Sequence, residues 1–295
     1  MPTSSLPGLP GPPAVGSSAL PEGTYDGRTV FITGGSRGIG RAIALACARE
    51  GANVVIGAKT DTPHAKLPGT IHTVAEEIRN AGGQALPLVL DVRDERQVRQ
   101  RMEEAANHFG GIDALVNNAG AIRLTGVENL KVSRYDLMHQ VNARAVFTCS
   151  QAALPWLKES GGHILSLSPP LNLNTRWFAQ YGPYTTTKYG MTMLSMGMAE
   201  EFRRYGIAVN CLWPKTLIAT AAIEYEVGGP QLMAQGRKPE IMADAAISIL
   251  SRTAEELTGQ ALIDEEVLRQ DGIEDFEHYR YAQGDKPLLP DLFLD

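Results

Sequence analysis

The chain has 295 residues, of which 43% are hydrophobic and 20% charged, with 33 Asp and Glu against 27 Lys and Arg and a net charge of −6. That length can bury a full core, and an acidic chain with no basic run excludes a binder of the nucleic-acid backbone, leaving room only for small anions held locally. Its 3 cysteines, Cys47, Cys149 and Cys211, lie far apart in apolar stretches; they read as buried free thiols of a reducing, cytoplasmic setting, so neither a disulfide nor a metal site is expected.

Residues 1–24 are rich in Pro, Gly and Ser and lack Lys and Arg. This composition predicts a disordered extension rather than a secretory or transit leader, and no apolar run along the chain reaches the ~20 residues of a membrane span. From Arg28 onward, short β-branched runs alternate with stretches of helical period. Strands are predicted at 29–34, 53–58, 85–90, 113–120, 162–168, 207–213 and 259–264, and helices near 38–50, 70–81, 94–109, 133–158, 182–205 and 239–252. This alternation predicts an α/β fold, a doubly wound parallel sheet of about seven strands with helices on both faces, over one domain from 25 to 295. A C-terminal tail is expected from about 266. Of two long connections, 216–240 is expected to cover a ligand at the carboxyl edge of the sheet, and 59–70 either does the same or is a passive surface loop.

The run "TGGSRGIG" follows the first strand and opens a helix. Gly34, Gly38 and Gly40 have the spacing that lets a backbone turn tightly, approach a pyrophosphate and pack a helix closely, with the helix amino terminus facing the phosphates. The second strand ends at Ala58, where an acid would bind a ribose 2′-hydroxyl, and Arg37 and Lys59 lie nearby. Two cations and no carboxylate suit a 2′-phosphate, so NADP(H) is expected in preference to NAD(H).

Six motifs in order, "TGGSRGIG", "LDVRD", "NNAG", "VNARAVF", "YTTTK" and "AVNCLWPKT", cover about residues 26–265. In this order and spacing they resemble the short-chain dehydrogenase/reductase family. A narrower similarity, carried by "SPPLNLN", "LWPKT", "GMAEEF" and the ending "KPLLPDLFLD", is to the hydroxysteroid dehydrogenase-like protein 2 group, whose larger members append a sterol-carrier domain. The resemblance implies a cofactor held by Gly34, Ser36, Arg37, Gly38, Ile39 and Gly40, by Lys59, Asp91 and Val92, by Asn118, Ala119 and Gly120, and by Tyr184, Lys188, Pro214 and Thr216. It further implies Tyr184 as general acid/base, Lys188 on the nicotinamide ribose, and Asn142 holding a water that relays protons to the lysine. A homodimer or homotetramer built on the 133–158 helix and the Met-rich 182–205 helix is implied as well.

Tyr184 and Lys188, four apart, project from one face of a helix. Bringing a free phenol from pKa ~10 to near 7 costs about 4 kcal/mol, and a cation ~4 Å away at an effective dielectric of about 20 supplies roughly that. The hydroxyl that should hold the substrate oxygen is less plain. Counted from the fifth strand, Pro169 occupies the place of the family's serine. Ser168 beside it is the first candidate; Asn172 or Asn174 is the alternative; a site without a donor, in a weakly active or non-catalytic dinucleotide-binding protein, is the third. Lys215 stands where the family has glycine, either facing an anion or simply exposed. Trp177, Phe178, Trp213 and Leu217 are expected to wall the substrate side, an apolar surface that suits a hydrophobic alcohol or carbonyl compound.

Overall fold

Seven short strands, apolar along most of their length, form one parallel sheet: β1 (Thr29–Thr33), β2 (Asn53–Ala58), β3 (Gln84–Val89), β4 (Ala114–Asn117), β5 (His163–Ser166), β6 (Ala208–Trp213) and β7 (Ala261–Ile263). The structure is a computed structural model describing residues 25–64, 67–284 and 286–294; the predicted extension 1–24 lies outside the described residues. Strand order is β3-β2-β1-β4-β5-β6-β7, every neighbouring pair parallel. The winding reverses between β1 and β4, which opens a crevice beyond their carboxyl ends.

The helices are α1 (Gly38–Arg49), α2 (Ile71–Asn80), α3 (Glu95–Phe109), α4 (Val132–His139), α5 (Ala145–Ser160), α6 (Thr175–Phe202), α7 (Gly229–Met233), α8 (Glu240–Leu250) and α9 (Asp264–Gln270). Alternate strand residues feed two cores. Val30 and Ile32 pack with α1, α2 and α8, whereas Phe31 between them packs with α3, α5 and α6. Each core is sealed from water, so both strand faces must be apolar, and alternation is lost from the sequence.

The local differences from expectation have physical causes. The helix expected over 133–158 is interrupted by a π-turn at Gln140–Arg144, where the Asn142 side chain ties this wider turn to Ala121 and Thr187. The helix expected from 182 begins at Thr175, because Asn174 caps it by accepting from the Arg176 N–H at 3.2 Å. Its early turns join the rest across Tyr181, which leaves helical geometry (φ −132°, ψ 21°) ahead of Pro183. Finally, β7 runs directly into α9, and the segment beyond returns to the carboxyl edge of the sheet, where Pro290 bridges Thr216.

Candidate active site

The glycine turn is built against the end of β4. Gly34 and Gly38 hold positive φ, +69° and +54°, which an L side chain adopts only with strain. The Asn118 amide donates to the carbonyls of Thr33 (2.8 Å) and Gly34 (3.0 Å), while Thr33 Oγ1 accepts from the Asn118 and Ala119 N–H groups. Gly40 is required by contact: a Cβ there would lie 2.4 Å from Asn118 Nδ2 and 2.6 Å from the Gly34 carbonyl. The 59–70 connection closes on the same turn, with Gly69 against the Ser36 carbonyl and its own oxygen accepting from Arg37 Nη2 at 3.1 Å.

Beyond this turn lies a cavity of about 530 Å³, of the size of small-molecule sites. Gly34, Arg37, Gly38, Ile39, Asn118, Ala119 and Gly120 line one end, and Tyr184, Lys188, Trp213, Pro214 and Leu217 the other. The 216–240 connection covers it with Ile218, Thr220, Ile223, Val227 and Leu232. Asp91 stands apart from the cavity. Arg93 Nε reaches it at 2.9 Å and Lys59 Nζ at 3.5 Å, and the Arg93 hydrogen bond holds its carboxyl at about 2. Ser36 and Val92 are buried and contribute no lining.

Tyr184 and Lys188 are 5% and 7% exposed and share the cavity. The Lys188 ammonium donates to the Leu167 carbonyl at 2.7 Å and sits 5.1 Å over the Trp213 ring. Burial pulls it down to about 8, against the opposing charge of Asp291. For Tyr184 the balance differs from the expected lowering. Burial pushes the phenol well above its usual range, the Asp291 charge adds to the rise, and the phenol is held protonated at neutral pH.

Ser168 is corrected as the candidate hydroxyl. Strand alternation continues past β5, so Leu167 lines the cavity while Ser166 and Ser168 face α6. The Ser168 hydroxyl is fully buried and pairs with Thr192 Oγ1 at 2.9 Å, and Thr192 also donates to the Pro169 carbonyl. Asn172 donates its amide to the Phe293 carbonyl and accepts from the Asn174 N–H, Asn174 caps α6 through its side-chain oxygen, and neither lines the cavity. Asn142 has both side-chain ends committed to Ala121 and Thr187. Of the expected apolar wall, Trp213 and Leu217 line the cavity; Trp177 packs behind it, edge-on to Phe293, and Phe178 lies outside against Tyr189. Thr216 does not line it either, but its Oγ1 is buried without a partner. Lys215 does not line the cavity: its ammonium pairs with Glu265 at 2.9 Å, beside Arg237 and Arg269.

The residues missed from sequence come from the far end of the chain. Leu289, Pro290, Asp291 and Leu292 line the cavity beside Tyr184. Leu289 O accepts from Leu217 N–H, Leu289 N–H donates to Gln235 O, and Asp291 N–H donates to Lys215 O. Phe293, buried and at φ +73°, stacks 6.1 Å from Tyr184 and touches the rings of Trp177, Tyr189 and Trp213. The signal was the apolar run "LLPDLFL", which a solvated segment would not carry.

A family profile described as short chain dehydrogenase matches residues 28–226. The chain is 55% identical over 274 residues to hydroxysteroid dehydrogenase-like protein 2 of Danio rerio, covering 92% of this chain and 65% of that protein. The Mus musculus protein of the same name is 56% identical over the same length, 92% of this chain and 55% of its own. The chain therefore spans 55–65% of the length of these relatives. Among solved structures, a Xanthomonas campestris protein provisionally described as a dehydrogenase superposes with a TM-score of 0.88 at 51% identity, covering 92% of this chain and 99% of that one. A metagenomic short-chain oxidoreductase in complex with NADP gives 0.67 at 25% identity, covering 81% and 97%.

Proposed function

The chain belongs to the short-chain dehydrogenase/reductase family, and we propose that it is an NADP(H)-dependent oxidoreductase acting on a hydrophobic alcohol or carbonyl compound, with Tyr184 as general acid/base. The observation that carries the reading is Tyr184 and Lys188 buried together at one end of a cavity whose other end is the glycine turn. The site fits a dinucleotide: the turn has no room for a Cβ at Gly34 or Gly40, and Nε of Arg37, which lines the cavity, is a buried donor without a protein partner. A bound reduced nicotinamide would supply the hydride. Tyr184, protonated at neutral pH, donates its proton to the carbonyl oxygen of the substrate, and Lys188, with its lowered affinity for protons, helps restore it.

Arg37 and Lys59, with Ala58 in place of an acid, favour the 2′-phosphate of NADP(H) over NAD(H). The walls contributed by Trp213, Leu217, Ile218 and Leu289 favour an apolar substrate. Phe147 on α5 and Met193 and Met196 on α6 are exposed, which supports association of copies through these helices. Three buried free thiols suit a cytoplasmic setting.

The test is a panel of apolar ketones and aldehydes with NADPH, on wild type and Tyr184→Phe. Turnover that falls about 10²–10⁴-fold in the variant, with NADPH affinity kept, supports the reading. The second reading, a dinucleotide-binding protein without catalysis, is favoured by the absence of a serine hydroxyl beside Tyr184; tight NADPH binding with no turnover on any compound supports it instead.

A further inference from the structure

Pro169 has no hydroxyl, Ser168 is turned into α6, and neither Asn172 nor the exposed Asn174 lines the cavity. Yet a carbonyl that receives a hydride develops negative charge on its oxygen, and donors fixed around that oxygen supply much of the rate. The polar side chains that line the cavity narrow the choice. Asn118 is committed to the glycine turn, Thr220 packs against Gly38, and Arg37 lies at the far end. Tyr181 and Asp291 remain beside Tyr184 and Lys188.

We infer that Asp291, delivered by the C-terminal strap, takes the place of the missing hydroxyl and holds the substrate oxygen as a protonated carboxyl group. This rests on the oxidoreductase reading above. The strap fixes the residue on both sides. Its own N–H donates to the Lys215 carbonyl at 3.1 Å, and the Leu292 carbonyl after it accepts from Trp213 Nε1 at 2.9 Å. Asp264 in turn holds Lys215 by accepting its N–H at 2.8 Å. One Asp291 oxygen accepts from the Leu292 N–H at 2.7 Å, which leaves the other to carry the proton. Tyr184, Lys188 and Asp291 line the same cavity.

The chemistry requires a neutral carboxyl, because a carboxylate would repel the developing alkoxide. Burial pushes Asp291 up to about 7; the Leu292 N–H and Lys188 oppose this, and Asp264 reinforces it. The facing groups are Tyr184 and Lys188 on α6, Asp264 on α9 and the Cys211 thiol on β6 near Lys188; Lys215 turns its ammonium away to Glu265. In the step itself the hydride bonds to the carbonyl carbon, the C=O π pair moves to oxygen, and Tyr184 gives that oxygen its proton. Asp291 donates a hydrogen bond and keeps its own proton, so it adds nothing to the balance.

The test uses the most active ketone of the panel with NADPH from pH 5.5 to 8.5, on wild type, Asp291→Ala, Asp291→Asn and Tyr181→Phe, with NADPH affinity measured for each. Asp291→Ala is expected to lose about 10²-fold in kcat/KM with unchanged NADPH affinity. Asp291→Asn, whose amide still donates, is expected to keep activity within about tenfold of wild type and to lose the decline above pH 7. Asp291→Asn also keeps an acceptor for the Leu292 N–H, so it decides the matter if the alanine variant misfolds. Asp291→Ala within threefold of wild type, Asp291→Asn as impaired as the alanine variant, or the loss appearing in Tyr181→Phe instead would overturn the inference. A wild type that binds NADPH and reduces nothing overturns the oxidoreductase reading together with it; an active wild type with an indifferent Asp291 overturns this inference alone.

Discussion

Replacing Gly40 by alanine isolates the joint on which the cofactor end of the site depends. The added Cβ would stand 2.4 Å from Asn118 Nδ2 and 2.6 Å from the Gly34 carbonyl, one a side chain and the other the fixed backbone of the turn. Asn118 must withdraw, giving up its bonds to the Thr33 and Gly34 carbonyls at 2.8 and 3.0 Å, each worth about 1 kcal/mol net. The overlap with Gly34 cannot be relieved in that way and adds about 1–3 kcal/mol of overpacking. Alanine is the better helix former by about 1 kcal/mol, which offsets part of this. The net expectation is a loss of about 2–4 kcal/mol, read as a lower urea midpoint at unchanged slope, with NADPH binding weakened because the turn is displaced. In an Asn118→Ala background the same substitution is expected to cost at least ~1 kcal/mol less, since one obstacle is already gone. Costs that add within ~0.5 kcal/mol, or a single variant as stable as wild type, would refute the reasoning.

Three further outcomes follow from the strap and its supports. Phe293→Ala removes a buried ring from the aromatic cluster and is expected to speed amide exchange at Leu289 and Asp291 about 10²-fold or more, from a loss of about 3 kcal/mol. Lys215→Met is expected to leave NADPH affinity unchanged and to cost no more than ~1 kcal/mol of stability, because Lys215 is half-exposed and the buried Glu265 keeps its pairs with Arg237 and Arg269. Burial raises the Asp264 carboxyl to about 6 in the folded protein, although it accepts the Lys215 and Glu265 N–H groups. Its contribution to stability is therefore full below about pH 4 and declines as pH rises through about 6. Urea midpoints for Asp264→Asn are expected to lack that decline between pH 4 and 6.

The parts of this fold legible in sequence are those whose physics is local. Glycines 34, 38 and 40 sit where positive φ or close contact demands them, and the continuous apolar strands β1 and β2 fit a sheet covered on both faces. Tyr184 and Lys188 were legible because a spacing of four on a helix fixes a shared face. The third member of the site was not. Whether Ser168 or its neighbour faces the cavity turns on a single step of alternation beyond the strand end, and the side chains of Thr192 and Ser195 decide it through contacts to Ser168 and Ser166 that lie 24 and 29 residues apart. Nor was the strap legible, since Asp291 and Phe293 reach Tyr184 only through pairings with 215–217 and 235 made in three dimensions. The same holds for Lys215, whose partner Glu265 lies fifty residues away on α9.

The most direct test of the central claim follows the hydrogen itself. NADPH carrying deuterium at both C4 positions of the nicotinamide is incubated with an apolar ketone and the purified protein, and the product alcohol is examined by mass spectrometry and NMR. The account predicts deuterium on the carbinol carbon with wild type and almost none with Tyr184→Phe, although both bind NADPH equally well. Product without deuterium at that carbon, or equal transfer by the two proteins, would contradict it.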